Sequence, residues 1–280
     1  MNSKPLTILL TNDDGIHADG LQALRAEMEK IKDVEVFVVA PDKERSASGH
    51  AITIHQPLRV QEVAVPGSRS RMWAISGTPA DCTKLAVKSL LPEAPMLVVS
   101  GINRGPNLGT DVFYSGTVAG ALEAAVLGVP AMAVSLDGYE NLNYEYAARF
   151  TSCLASTVLR RGLIANSLLN VNVPAIDAEN IAGVSVTRLG VRRYNDEFER
   201  RVDAKGNVFY WLAGGFLDVD NEEGTDVGAI KDNKISITPI HLDLTAHWAM
   251  DELCGWNIEL PNSPAGSDPG NDDRTHPSRR

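Results

Sequence analysis

Short apolar runs bounded by Gly, Pro, Asn or Asp recur through the first 165 or so residues, separated by stretches with apolar positions three and four apart. Apolar runs of this length, closed by turn residues, read as buried strands. Thr7–Asn12, Val34–Ala40, Met96–Ser100 and Ala131–Leu136 are predicted on that rule. Gly20–Ile31 places Leu21, Leu24, Met28 and Ile31 at helical spacing, and Pro79–Leu91, Thr117–Leu127 and Tyr144–Gly162 are further predicted helices. Pro79 falls in a first turn, where its missing N–H costs nothing. Alternating segments near 51–63 and 71–75 predict an inserted β-hairpin. Strands that alternate with helices imply an α/β fold, a mostly parallel sheet with helices on both faces. After about residue 168 the texture turns β-rich: Leu168–Val173, Val184–Leu189, Val208–Trp211 and Ile235–Ile240 read as extra strands or arms outside that alternation, extending to about 255. One domain over residues 1–262 is expected, followed by a disordered tail at 263–280 that has almost no apolar residues.

Composition narrows the class. The hydrophobic content of 44% and charged content of 22% are ordinary for a globular chain. A net charge of −10 argues against a stable nucleic-acid partner, because gripping a duplex takes surplus Lys and Arg. It leaves room for a small phosphate ester. Cys82, Cys153 and Cys254 form no C-x-x-C, which excludes a zinc ribbon and a redox pair. Their apolar, helix-like surroundings predict buried thiols and a reducing compartment. The start lacks the pattern of a signal peptide, and no apolar stretch nears the ~20 residues of a membrane helix. A cytoplasmic protein without membrane contact is expected.

The candidate chemistry sits where predicted strands end. Asp13-Asp14 follows the first strand and precedes Gly15, at the sheet edge where open α/β folds put their ligands. A dinucleotide site would carry G-x-G-x-x-G there. Two adjacent carboxylates resist joint ionisation unless a cation sits between them. From this segment alone, a metal site and a simple helix cap stay equally open. The loop Asp42–His50 adds hydroxyls, cations and His50 on the same edge. Ser100–Gly109 runs from a buried strand into a polar loop with Asn103 and Asn107, whose amide oxygens suit hard cations. Ser115-Gly116-Thr117 leads into an Ala- and Gly-rich helix, an arrangement that holds an anion at a helix N-terminus. Hard oxygen donors beside an anion cradle suit magnesium, manganese or calcium rather than zinc, and are the equipment of phosphoryl hydrolysis. His50 is placed in the pocket lining ahead of His17. No G-x-S-x-G elbow is present, which argues against a serine hydrolase.

Together these stretches resemble the SurE family of metal-dependent nucleotidases. The resemblance rests on Asn12-Asp13-Asp14-Gly15, Ala40-Pro41-Asp42 through Arg45-Ser46, Ser100-Gly101-Ile102-Asn103, Gly105-Pro106-Asn107-Leu108-Gly109 and Tyr114-Ser115-Gly116-Thr117-Val118, with Tyr210-Trp211-Leu212 and Ser236-Ile237-Thr238-Pro239 farther on. It implies a Rossmann-like domain with a C-terminal arm that builds homodimers or homotetramers. It implies one divalent metal ion per subunit (magnesium or manganese, with calcium possible in crystals) held by Asp13, Asp14, Ser46 and Asn103. Asn107, Ser115, Gly116 and Thr117 would hold the phosphate, and Asp13 or Asp14 would act as base or nucleophile. The implied substrates are nucleoside 5′- or 3′-monophosphates and, in some members, short polyphosphate. A non-catalytic module that senses nucleotide and metal is the alternative. The second loop departs from the family in reading Ser46-Ala47-Ser48-Gly49, where many members have Gly after the ligand serine; this leaves Ser46 against Ser48 open.

Overall fold

The computed structural model describes residues 5–195, 197–217, 222–256 and 258 of the 280. Its first half runs β1 (Leu6–Thr11), α1 (Asp19–Met28), β2 (Val34–Pro41), β3 (Val60–Val63), β4 (Arg71–Ile75), α2 (Pro79–Leu85), β5 (Leu97–Arg104), α3 (Gly116–Val126), β6 (Ala131–Asp137) and α4 (Glu145–Arg161). There follow β7 (Ser167–Pro174), β8 (Gly183–Val186), β9 (Arg193–Tyr194), β10 (Glu197–Val202), β11 (Val208–Ala213), β12 (Phe216–Leu217), α5 (Asp226–Lys231), β13 (Lys234–His241) and α6 (Met250–Cys254). One compact unit ends at Leu242, and α6 belongs to a second that begins at Asp243. The expected tail at 263–280 lies outside the described residues.

Nine strands form one sheet in the order β3-β4-β2-β1-β5-β6-β7-β13-β8. The six from β4 to β7 run parallel. Their succession goes outward from β1 in one direction and resumes at β5 in the other. At such a reversal the connections leave on opposite faces and open a crevice beyond the strand ends. Both faces are covered, so the central strands are apolar throughout rather than alternating with polar residues. Ile8, Leu10, Val36 and Val38 pack with Leu21, Leu24 and Met28 of α1 and Ala147, Ala155 and Val158 of α4. Their strand neighbours Leu9, Phe37 and Val39 point the other way, into a core with Cys82 of α2 and Ala121 and Ala124 of α3. Each such fully buried aliphatic side chain is worth roughly 2 kcal/mol.

Several expectations need correction. The helix expected over Pro79–Leu91 is α-helical only to Leu85, then widens into a π turn over Ala86–Leu90 closed by the Leu91 N–H donating to Ala86 O at 3.0 Å. The expected hairpin is present as β3–β4, and its second strand also pairs in parallel with β2, so the hairpin joins the main sheet. Residues 51–59 form no strand; Asp81 holds that segment by accepting the Thr53 N–H at 2.9 Å and the Thr53 hydroxyl at 2.6 Å. Strands β7, β13 and β8, read as lying outside the alternation, extend the main sheet. Their pairing, Ser236 opposite Asn172, joins residues far apart in sequence, and no local pattern encodes it. Among the described residues only β10–β11 and β9–β12 form separate two-stranded pieces. Of the three free cysteines Cys82 alone is buried; Cys153 and Cys254 are exposed. No helix among the described residues is long and apolar enough to cross a membrane.

Candidate functional site

The end of β1 turns sharply through Asn12. Its side chain donates to Gly15 O at 2.9 Å and accepts the Gly15 N–H at 3.2 Å, an Asx turn that needs Gly15 at φ 104°. That turn sets Asp13 and Asp14 over the crevice between β1 and β5. Asp13 is 5% exposed and accepts the hydroxyl hydrogen of Thr117. Burial raises its pKa to about 6; the Thr117 hydroxyl opposes the rise and the neighbouring Asp14 charge adds to it. Asp14, half-buried, accepts the Arg104 N–H at 3.1 Å. Burial raises its pKa too, against the pull of the Arg104 amide and guanidinium. Two adjacent carboxylates are thus held where their charges are disfavoured, which is the electrostatic situation a cation relieves.

The other segments converge on this pair. The Arg45 N–H donates to Asp13 O at 2.7 Å, and the Gly49 N–H to Tyr114 O at 3.0 Å, so the second loop bridges the first and fourth. Strand β5 shifts register against β6 between Ser100 and Asn103, and such bulges re-aim side chains at sheet edges. Asn103 then donates its Nδ2 hydrogen to Gly105 O at 2.8 Å, and no hydrogen bond among the described residues occupies its Oδ1. Helix α3 starts against Asp13 so closely that a Cβ on Gly116 would stand 2.7 Å from the Asp13 Cβ. Ser115 caps it, accepting the Val118 N–H at 3.0 Å, which leaves the hydroxyl hydrogen free to donate outward. Asn107 is buried, and its Nδ2 donates to Ser135 Oγ at 2.8 Å.

Two candidates stand differently. Ser46 is exposed and its hydroxyl donates to Glu44 at 2.6 Å, whereas the Ser48 Oγ is buried without a partner. The His50 Nε2 meets Glu123 at 2.9 Å, and Glu123 lies two turns or about 10 Å along α3 from Gly116. Glu123 also accepts from Lys84 at 2.7 Å and so ties the second loop, α2 and α3 together. Among the described residues no group of three or more His, Cys, Asp or Glu could hold a metal. A cation here would draw its remaining ligands from neutral oxygens, a hard-donor set.

Residues that the sequence reading passed over also shape the site. Tyr144, at the head of α4, lies near Asp14; burial first, then that negative charge, push its phenol up to about 12. Arg104 acts through its backbone, which no sequence pattern advertises. Asp226 is fully buried and accepts the N–H groups of Gly109 at 2.8 Å and Gly190 at 2.7 Å, clipping the Asn107 loop to the segment after β8. A Thr-Asp pair opening a short helix was the available signal, but it resembles any cap.

Comparison with known proteins places the chain as a whole. The family profile described as Survival protein SurE matches residues 8–196. A protein of Symbiobacterium thermophilum named 5′-nucleotidase SurE is 54% identical over 251 residues, covering 90% of this chain and 98% of that protein. Its namesake in Heliobacterium modesticaldum is 52% identical, covering 90% and 92%. The crystal structure of the SurE protein from Aquifex aeolicus superposes with a TM-score of 0.77 at 39% identity, covering 90% of this chain and all of that one. With a profile spanning most of the chain and relatives identical at more than half their positions, the chain belongs to the SurE family.

Proposed function

We propose that this protein is a divalent-metal-dependent phosphatase that hydrolyses nucleoside monophosphates to nucleoside and phosphate. The observation that carries the reading is the buried Asp13, with Asp14 beside it, set against the first turn of α3. The name 5′-nucleotidase, borne by relatives about half identical over nine-tenths of the chain, supports it.

Asp13, Asp14, the Asn103 Oδ1 and a serine of the second loop would hold one metal ion, magnesium or manganese. What a divalent cation supplies there is Lewis acidity, which neutralises charge growing on phosphoryl oxygens and makes water a better nucleophile. The chain does the positioning. The Gly116 and Thr117 amides at the start of α3, the Ser115 hydroxyl hydrogen and the Asn107 amide face the phosphate and offset its charge. Thr117 orients Asp13. Asp14, held at one oxygen by the Arg104 N–H, keeps its other oxygen free to take a proton. His50 braces Glu123.

The apolar β10–β11 hairpin is the proposed contact with a second copy of this chain. Phe198, Tyr210, Trp211 and Leu212 are each more than half exposed, and a two-stranded hairpin is marginal alone in water.

The test is phosphate release from a panel of 5′- and 3′-monophosphates and short polyphosphate, with manganese or magnesium and with chelator. Turnover is expected on nucleoside monophosphates, abolished by chelator and reduced at least ~100-fold by Asp14→Asn. Full, chelator-insensitive turnover in Asp14→Asn would overturn the proposal.

A further inference from the structure

Strand β7 reads Ser-Leu-Leu-Asn-Val-Asn-Val-Pro, and its two asparagines, Asn170 and Asn172, are fully buried. Being two apart, they share one face of the sheet with Leu168, which packs in the apolar core beneath α3. An amide buried there costs free energy unless its groups are bonded. Both amides turn to a single residue of another loop. The Asn107 N–H donates to Asn172 Oδ1 at 2.8 Å. The Asn107 carbonyl accepts from Asn172 Nδ2 at 3.1 Å and from Asn170 Nδ2 at 2.8 Å. The orientation of the Asn172 amide is forced, since the N–H it meets requires an oxygen and the carbonyl a nitrogen.

Asn172 therefore grips both backbone groups of Asn107 as a neighbouring strand would. Asn170 adds a second donor to the same carbonyl, and Ser135 of β6 accepts from the Asn107 side chain at 2.8 Å. One polar atom of the cluster, Asn170 Oδ1, is buried without a hydrogen-bond partner among the described residues. Apolar side chains in their place would leave the buried Asn107 N–H and carbonyl without these bonds. A buried polar cluster directed at a single loop residue is expected where function sets the requirement.

We propose that Asn172, assisted by Asn170, is a positioning residue that fixes Asn107 for phosphate binding; this rests on the role given to Asn107 above. Neither asparagine of β7 touches the reacting atoms. They act through the Asn107 backbone, whose loop would otherwise set the amide loosely. A displacement of about 1 Å in a group that positions substrate lowers turnover by up to ~100-fold.

The test uses the full-length, metal-loaded enzyme and reads kcat, KM and the inhibition constant of inorganic phosphate. Asn172→Leu is expected to lower kcat/KM about 10- to 100-fold and to raise the phosphate inhibition constant about 10-fold. The rise in thermal midpoint produced by manganese should persist, since Asp13 and Asp14 are untouched. Val158→Ala is the control: it removes buried methyl groups from α4, which packs on the sheet face opposite Asn170 and Asn172. That variant should lower the midpoint without moving the phosphate constant. An unchanged phosphate constant in Asn172→Leu, beside a raised one in Asn107→Ala, overturns the positioning role and leaves the phosphate reading intact. An unchanged constant in Asn107→Ala removes both. If Asn172→Leu does not fold, amide exchange in the unaltered enzyme decides: the Asn107 N–H should exchange as slowly as the strand amides of β7, and exchange at the rate of an open loop overturns the proposal.

Discussion

At Gly116 the molecule leaves no space for a side chain, because a Cβ would stand 2.7 Å from the Asp13 Cβ and 2.8 Å from its Oδ2. Gly116→Ala must therefore push Asp13 or the start of α3 aside. Alanine is well tolerated in a helix, so the fold should survive while the site does not. The expected outcome is a loss of kcat/KM of about 100-fold with an unchanged circular dichroism spectrum. An active Gly116→Ala enzyme would mean that Asp13 need not approach the helix. Asp13, Asp14 and Asn103 were legible as candidates because each lies just past or at the end of an apolar run, where a parallel sheet puts its ligands. The partner of Asp13 was not: Thr117 lies 104 residues away, and only folding brings the two together. The choice between Ser46 and Ser48 was equally out of reach, since side-chain direction in a loop follows from what packs around it.

Elements are fastened by polar side chains as well as by the cores between them. Glu29, just past α1, accepts from the hydroxyls of Ser70 at 2.6 Å and Ser68 at 2.7 Å, from the N–H groups of Arg69 and Ser70, and from Arg25 at 2.9 Å. Burial pushes its carboxyl up, but the two hydroxyls and the Arg25 guanidinium outweigh burial and hold it at about 2. A folded pKa below that of the unfolded chain stabilises above the unfolded value, and the stabilisation is lost as pH falls through the folded one. Glu29→Gln should thus cost about 2 kcal/mol at pH 7, and the gap should narrow as pH falls from about 4.5 toward about 2. Urea unfolding of both proteins across that range reads the difference; a gap independent of pH would show that the ionised carboxylate is not what fastens α1. Helices α1, α3 and α4 and the strands β1, β2, β5 and β6 were readable to within a few residues, since burying one helix face imposes a period of 3.6 and burying both faces of a strand gives a short continuous apolar run. The π turn after α2 was not, because its widened turn keeps the same residue types.

For the whole molecule, a cation that binds only the folded state must raise the thermal midpoint. At a hundredfold excess over its dissociation constant, manganese should add about 2.7 kcal/mol to the stability of the unaltered chain. Asp13→Asn should show no such gain in a calorimetric scan, and an equal gain would place the ion elsewhere. The exposed hairpin carries a second expectation. Replacing Trp211 and Leu212 by Ser should shift the mass found by light scattering toward the monomer, whereas an unchanged assembly would exclude β10–β11 as the contact. Taken by itself, the sequence determined the alternating order of strands and helices, the parallel sheet and the placing of acidic and amide side chains at strand ends, because these depend on local periodicity and turn chemistry. Only the tertiary structure decided that β13 and β8 extend the same sheet, that Thr117 holds Asp13, that His50 bonds Glu123, and that Asn172 grips Asn107. Each of these joins residues distant in sequence, and such pairings follow from the packing of the whole chain rather than from any local pattern.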